Sequence, residues 1–140
     1  MLLLSPYLNF NGNCEEAFKF YEQVFRGKIE ALARYGGTPG ESFVPPEWKD
    51  KIMHTRVVFW NNVLMGSDVA PERYKEAQGI SVTLTLNDVQ ETERIFNALA
   101  ENGTVQMKLE KTFWAERFGA VKDRFGIPWM VNCETDNSGQ

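Results

Sequence analysis

A strand, helix and hairpin order written twice is the strongest constraint on what this chain can fold into. The first copy reads Ser5-Pro6-Tyr7-Leu8-Asn9-Phe10, turns at Asn11-Gly12-Asn13, and continues from Glu15 to Phe25. The second reads Ser81-Val82-Thr83-Leu84-Thr85-Leu86, turns at Asn87-Asp88, and continues from Gln90 to Ala100. In both, alternation of period two gives way to a period of about 3.6, the pattern of a strand feeding an amphipathic helix. Asn13 with Glu16, and Asp88 with Glu91, have the spacing of an N-cap followed by a carboxylate that reaches back to it. Gly27 and Gly103 are expected to end the two helices in the left-handed conformation. The strands and glycines match at an offset of 76 residues and the helices (Phe20 with Ile95) at 75. Such differences belong in loops, where length costs little, while helix phase fixes the buried face. Two half-folds therefore share one core, with residues 1–70 as the first repeat and 71–140 as the second, in one structural domain.

The remaining elements follow the same plan. Lys28 to Arg34 reads as a strand, and the glycine- and proline-rich stretch from Tyr35 to Trp48 as a long loop. Ile52 to Phe59 and Val63 to Met65 read as a hairpin turning at Asn61-Asn62, and Val69 to Gly79 as the connection between halves. In the second half, Val105 to Met107, Thr112 to Val121 and Ile127 to Asn132 are expected strands, with a turn from Lys122 to Gly126 and a polar, frayed tail from Glu134 to Gln140. The expected fold is α+β: two βαβββ repeats whose curved mixed sheets enclose a cavity.

Composition narrows the function. A chain of 140 residues, 43% hydrophobic, can bury a core without disulfides. Cys14 and Cys133 lack a metal-type spacing and read as reduced thiols, which suits a cytoplasmic protein. The net charge of −4, with 15 scattered basic residues, leaves no footprint for nucleic acid. Leu2-Leu3-Leu4 is too short for a signal peptide, and no apolar run approaches the roughly 18 residues of a membrane span.

In order along this frame, several short patterns carry a family resemblance. They are Pro6-Tyr7-Leu8 with Gly12-Asn13, Glu16-Ala17 and Phe20-Tyr21; Met53-His54 with Leu64-Met65-Gly66-Ser67-Asp68; and Thr112-Phe113-Trp114 with Arg117-Phe118-Gly119, Asp123-Arg124-Phe125-Gly126 and Trp129. The chain resembles the vicinal oxygen chelate superfamily of glyoxalase I, bleomycin-resistance proteins and extradiol dioxygenases, and within it the PhnB-like branch. The resemblance implies paired βαβββ units, usually a homodimer with cavities between repeats, and in members of known chemistry a divalent ion that polarises the substrate. By the strand alignment those ligand positions fall at Ser5 and Ser81, and near Gly66 and Met130. None suits a divalent metal, and the chain has one histidine, so neither a metal nor another cofactor is expected.

The candidate residues follow from strand parity and side-chain chemistry. His54 resembles a recurrent PhnB-like position and is the first candidate acid or base, although a hydrogen-bonded structural role is the commoner one. Arg56 shares its face by parity. Leu8 and Phe10 should pack under the first helix, leaving Tyr7 and Asn9 to face a ligand, with Thr83 and Thr85 as their counterparts. Trp114 and Glu116 alternate with Phe113 and Ala115, so an indole and a second candidate catalytic carboxylate would share a face with Met130 lining the site. Asp68 and Asp123 read as turn and strand-end residues, and Trp129 as core against the second helix. Two functions compete: a small-molecule binder of resistance or sequestration type, and a lyase, isomerase or dioxygenase with His54 or Glu116 as base. A purely structural dimer is the third. The methyltransferase label attached to this branch finds no strand with a glycine-rich turn and helix to support it.

Overall fold

The computed structural model describes residues 1–134, and its two halves repeat one topology. Strands β1 (Tyr7–Phe10), β2 (Lys28–Arg34), β3 (Ile52–Phe59) and β4 (Asn62–Asp68) form a sheet in the order β1-β4-β3-β2, with helix α1 (Cys14–Val24) following β1. Strands β5 (Val82–Leu86), β6 (Thr104–Glu110), β7 (Arg117–Lys122) and β8 (Pro128–Cys133) form a second sheet in the order β5-β8-β7-β6, with helix α2 (Val89–Ala100) following β5. In each sheet the first strand runs parallel to the last, and all other neighbours are antiparallel. The chain divides into two compact units, Met1–Lys75 and the part from Glu76 onward.

Helical periodicity explains each unit's core. Helix α1 buries Ala17, Phe18, Tyr21 and Val24 along one stripe, and Phe18 meets the Phe10 ring edge-on at 5.9 Å. Helix α2 buries Thr92, Ile95, Phe96 and Leu99 in the same way. The sheet faces beneath them supply Leu8, Phe10, Val57 and Leu64 in the first unit, and Val121, Trp129 and Val131 in the second. Each such large apolar side chain contributes about 1.5–3 kcal/mol on burial. Period-two alternation leaves Tyr7 and Asn9 exposed while Leu8 and Phe10 are buried, as the sequence predicts.

Close approach explains two glycines that the sequence reading assigned to left-handed caps. The residues with positive φ are Arg26 (52°) and Asn102 (59°), each one position earlier. A Cβ at Gly27 would lie 2.5 Å from the Val58 carbonyl oxygen, and one at Gly103 2.4 Å from that of Lys122. The glycines thus admit a neighbouring strand's backbone, and the preceding residue bears the αL strain.

Local signals elsewhere were overridden by tertiary partners. Asn13 occupies the N-cap of α1 but its side chain makes no cap hydrogen bond. Asp68, at the end of β4, does this instead: its Oδ1 accepts from Gly12 N and Cys14 N, both at 2.9 Å, and its Oδ2 accepts from Ile52 N at 2.8 Å. In the second unit the expectation holds, since Asp88 Oδ1 accepts from Glu91 N at 3.0 Å. The β3–β4 hairpin turns through Trp60 and Asn61, both at positive φ, rather than Asn61-Asn62. The expected strand from Thr112 to Val121 begins only at Arg117. Thr112 Oγ1 accepts from Trp114 N and Ala115 N, which turns the chain and ends the alternation. Of the expected polar tail, residues 135–140 lie outside the described residues.

Candidate functional site

Each sheet has one face under its helix and one open face, and register decides which side chains share the open one. In the first unit Tyr7 pairs with Met65 and Asn9 with Ser67 across β1 and β4, while Arg56 pairs with Met65 across β3 and β4. Beyond the Thr55–Gly66 pair, His54 on β3 and Ser67 on β4 are the next neighbours. Directly opposed residues point to the same face, so Tyr7, Asn9, His54, Arg56, Met65 and Ser67 share it. A register shift at β2 sets Ala33 opposite His54 and Arg34 opposite Ile52, leaving Met53 as the extra residue. That bulge lets Ile52 join the core while His54 stays on the open face.

The fold brings His54 and Tyr7 together across 47 residues of chain. The phenol oxygen lies 3.2 Å from His54 Nδ1, and the rings stack with centroids 5.8 Å apart. Whichever tautomer the imidazole adopts, one ring nitrogen is engaged and Nε2 remains for another partner. Tyr7 keeps 46% of its surface exposed. Arg56 is ion-paired through one edge, with Nε 2.8 Å from Glu30 Oε1. Its geometry is that of an ion pair rather than a hydrogen bond, since Nε has no aligned acceptor. Ser67, part of the Leu64–Asp68 signature, is 7% exposed on this face.

In the second unit the same register pairs Thr83 with Met130 and Ala120, and Thr85 with Asn132 and Phe118. Thr83 is exposed, and Met130 borders a cleft of about 470 Å³ with Gln78, Ser81, Gln106 and Lys122. Trp114 and Glu116 lie in the loop before β7, not on a strand, so alternation does not set their directions. The Trp114 indole packs edge-on to Phe113 at 4.8 Å and to Phe118 at 5.4 Å. Glu116 has its Oε1 4.0 Å from Lys111 Nζ. The shared face expected for Trp114 and Glu116 therefore has no strand to create it.

The aspartates are structural, as the sequence suggests. Asp123 Oδ1 accepts from Phe125 N and Ile127 N, and its Oδ2 accepts from Trp129 Nε1 at 2.8 Å. Trp129 is buried.

These positions can be tested against a divalent ion. Gly66 proves to face α1, because a Cβ there would meet the Phe18 ring at 2.6 Å. Its open-face neighbour is Met65, and Met130 holds the corresponding place in the second sheet. Thioethers are soft donors unsuited to the harder divalent ions. Among the described residues no group of three His, Cys, Asp or Glu side chains converges. With the Arg56 cation on the same face as His54, the residues present do not fit a divalent metal, and no step is derived through one.

A family model described as 3-demethylubiquinone-9 3-methyltransferase matches residues 3–132. The chain belongs to this PhnB-like family. Protein YjdN of Escherichia coli (strain K12) is 34% identical over 137 residues, covering 92% of this chain and 93% of its own. Among solved structures, protein PA1353 from Pseudomonas aeruginosa is 50% identical with a TM-score of 0.89, covering 97% of this chain and 100% of that one. The PhnB protein from Bacillus cereus has a TM-score of 0.79 at 23% identity, covering 93% and 98%, and shows the fold. The fold extends to the glyoxalase/bleomycin-resistance/dioxygenase superfamily, as the resemblance implied.

Among the described residues, neither helix start offers a nucleotide-type methyl donor the usual cradle. The backbone N–H groups at the start of α1 are taken by the Asp68 carboxylate, and the start of α2 is capped by Asp88. No helix among the described residues is long and apolar enough to cross a membrane.

Proposed function

We propose that this PhnB-like protein binds small molecules without a metal on the open sheet face of each unit, through Tyr7, Asn9, His54 and Arg56 in the first unit and, separately, through Thr83, Trp114 and Met130 in the second. The observation that carries this reading is the Tyr7–His54 hydrogen bond on an exposed sheet face, with Asn9 beside it on the same strand. An exposed strand needs no such pair for its own stability. Glu116 and His54 are the groups able to move a proton for a bound ligand.

The reading also treats the two units as one domain by duplication, assembled as a homodimer, in line with the common habit of the superfamily. Two buried free cysteines with no disulfide between them suit a reducing cytoplasm. A thermal-unfolding screen against a small-molecule library tests the binding. Compounds that raise the midpoint of the wild type but not of the Tyr7→Phe or His54→Gln variants support it; stabilisation that ignores both substitutions places binding elsewhere.

A further inference from the structure

We infer that the ligand of the first unit is a small carboxylate, its head held by the Arg56 guanidinium and its apolar body lying over Met65, beside the Tyr7–His54 pair. The inference rests on the binding reading above and specifies the chemistry of what that face binds.

Register builds the site. On the open face Met65 is opposed by Tyr7 on one side and by Arg56 on the other, so the three residues stand in a row across β1, β4 and β3. Strands about 4.8 Å apart put the backbones of the outer two about 10 Å from each other, with the thioether between them. His54 lies two residues from Arg56 on β3, on the same face, and its Nδ1 is 3.2 Å from the Tyr7 phenol oxygen. A ligand with a charged end and a flat apolar body spans that row.

The second sheet repeats the row without its polar ends. Met130 is kept at the centre, opposed by Thr83 and Ala120, and Phe118 stands two residues before Ala120 as His54 stands before Arg56. The same topology therefore forms with a methyl in place of the guanidinium and a phenyl ring in place of the imidazole. The fold itself demands neither group.

Hydrogen-bond donors dominate the first face. Arg56 meets Glu30 through Nε, in a contact without hydrogen-bond alignment, and its Nη1 and Nη2 have no partner among the described residues. Both side chains of that ion pair are more than a third exposed, so the pair is weak and the far edge of the guanidinium is open to a second carboxylate. A guanidinium has five N–H groups and no acceptor, and its planar fork matches the two oxygens of a carboxylate. The Tyr7–His54 pair always keeps one hydrogen to donate: a phenol that donates to Nδ1 leaves Nε2–H, and an Nδ1–H that donates to the phenol leaves its O–H. Asn9 adds an amide NH2 on the same face. A charged group that only accepts answers this set, through bonds about twice as strong as neutral ones. Glu30 sets the charge, since its carboxylate beside Arg56 repels a dianionic phosphate more than a monoanion.

His54 is the chain's single histidine, so its ring signals in NMR report this face without ambiguity. The test titrates 2-naphthoate and its uncharged isostere 2-naphthamide, at pH 7, into the wild type and the Arg56→Gln variant, with the remaining signals reporting folding. The expected result is saturable movement of the His54 signals by 2-naphthoate, and about tenfold weaker binding of 2-naphthamide. Arg56→Gln should weaken 2-naphthoate about tenfold and leave 2-naphthamide unchanged. Equal binding of the two probes by the wild type, 2-naphthoate binding indifferent to Arg56→Gln, or an equal loss of both probes in that variant overturns the carboxylate, while movement of His54 keeps the binding reading. No movement of His54 by either probe overturns the inference and counts against the binding reading as well.

Discussion

The Asp68 carboxylate, at the end of β4, accepts the backbone N–H of Cys14 at 2.9 Å and so caps a helix 54 residues away in sequence. The same carboxylate holds Gly12 N and Ile52 N, tying β1, α1, β3 and β4 together at one point. Asp68→Ala leaves these donors without their acceptor, two of them buried. We expect a loss of about 3–5 kcal/mol, read as a lower urea midpoint with an unchanged slope. Asp68→Asn, which keeps one acceptor oxygen, should lose less.

Gly27 and Arg26 should respond in opposite directions. Gly27→Ala drives a methyl to within 2.5 Å of the Val58 carbonyl oxygen and is expected to cost about 1–3 kcal/mol. Arg26→Gly relieves a positive φ of 52° and should be neutral or stabilising by up to about 1 kcal/mol. Thermal or urea unfolding of the two variants checks both signs.

Glu15 gives a pH dependence with a definite sign. A bidentate hydrogen bond from Arg34, at 3.0 and 2.9 Å, and then Lys19, hold its carboxyl at about 2 against an ordinary 4.5. A depressed folded-state pKa means the stabilisation is fully present above the unfolded value and is lost as pH falls through the folded one. Both side chains are a third or more exposed, so solvent screening holds the contribution to about 0.5 kcal/mol. The stability difference between wild type and Glu15→Gln should stay constant from pH 7 to about 4.5 and disappear by about 2 in urea titrations.

Cys14 should be chemically silent in the folded protein. Burial first, then the Asp68 carboxylate, pushes its thiol pKa upward, and the side chain has no exposed surface. Cys133 is equally buried. A chromogenic thiol reagent is expected to find no fast-reacting thiol under native conditions and two in denaturant; a fast native reaction would contradict the packing at the start of α1.

What was legible in the sequence was what period and local chemistry encode. The alternation of Tyr7, Leu8, Asn9 and Phe10 gave the faces of β1, and the helical stripes gave α1 and α2 to within a residue or two. Capping by Asp68 was hidden because a carboxylate arriving from β4 leaves no local signature, and Asn13 looked sufficient. Trp114 and Glu116 were misplaced because alternation continued on paper through a turn that the Thr112 hydroxyl makes. That Ser67 shares a face with Asn9 is a fact of register that sequence spacing does not contain.

The most direct measurement is the metal content of protein purified without chelator or affinity metal, by elemental mass spectrometry, together with thermal unfolding on addition of Zn, Mn, Ni and Fe(II). Open faces that present Met65 and Met130, and His54 beside an ion-paired Arg56, predict less than stoichiometric metal and no shift in the unfolding midpoint. One ion per chain with a raised midpoint would contradict the account and turn the Tyr7–His54 face into a metal centre.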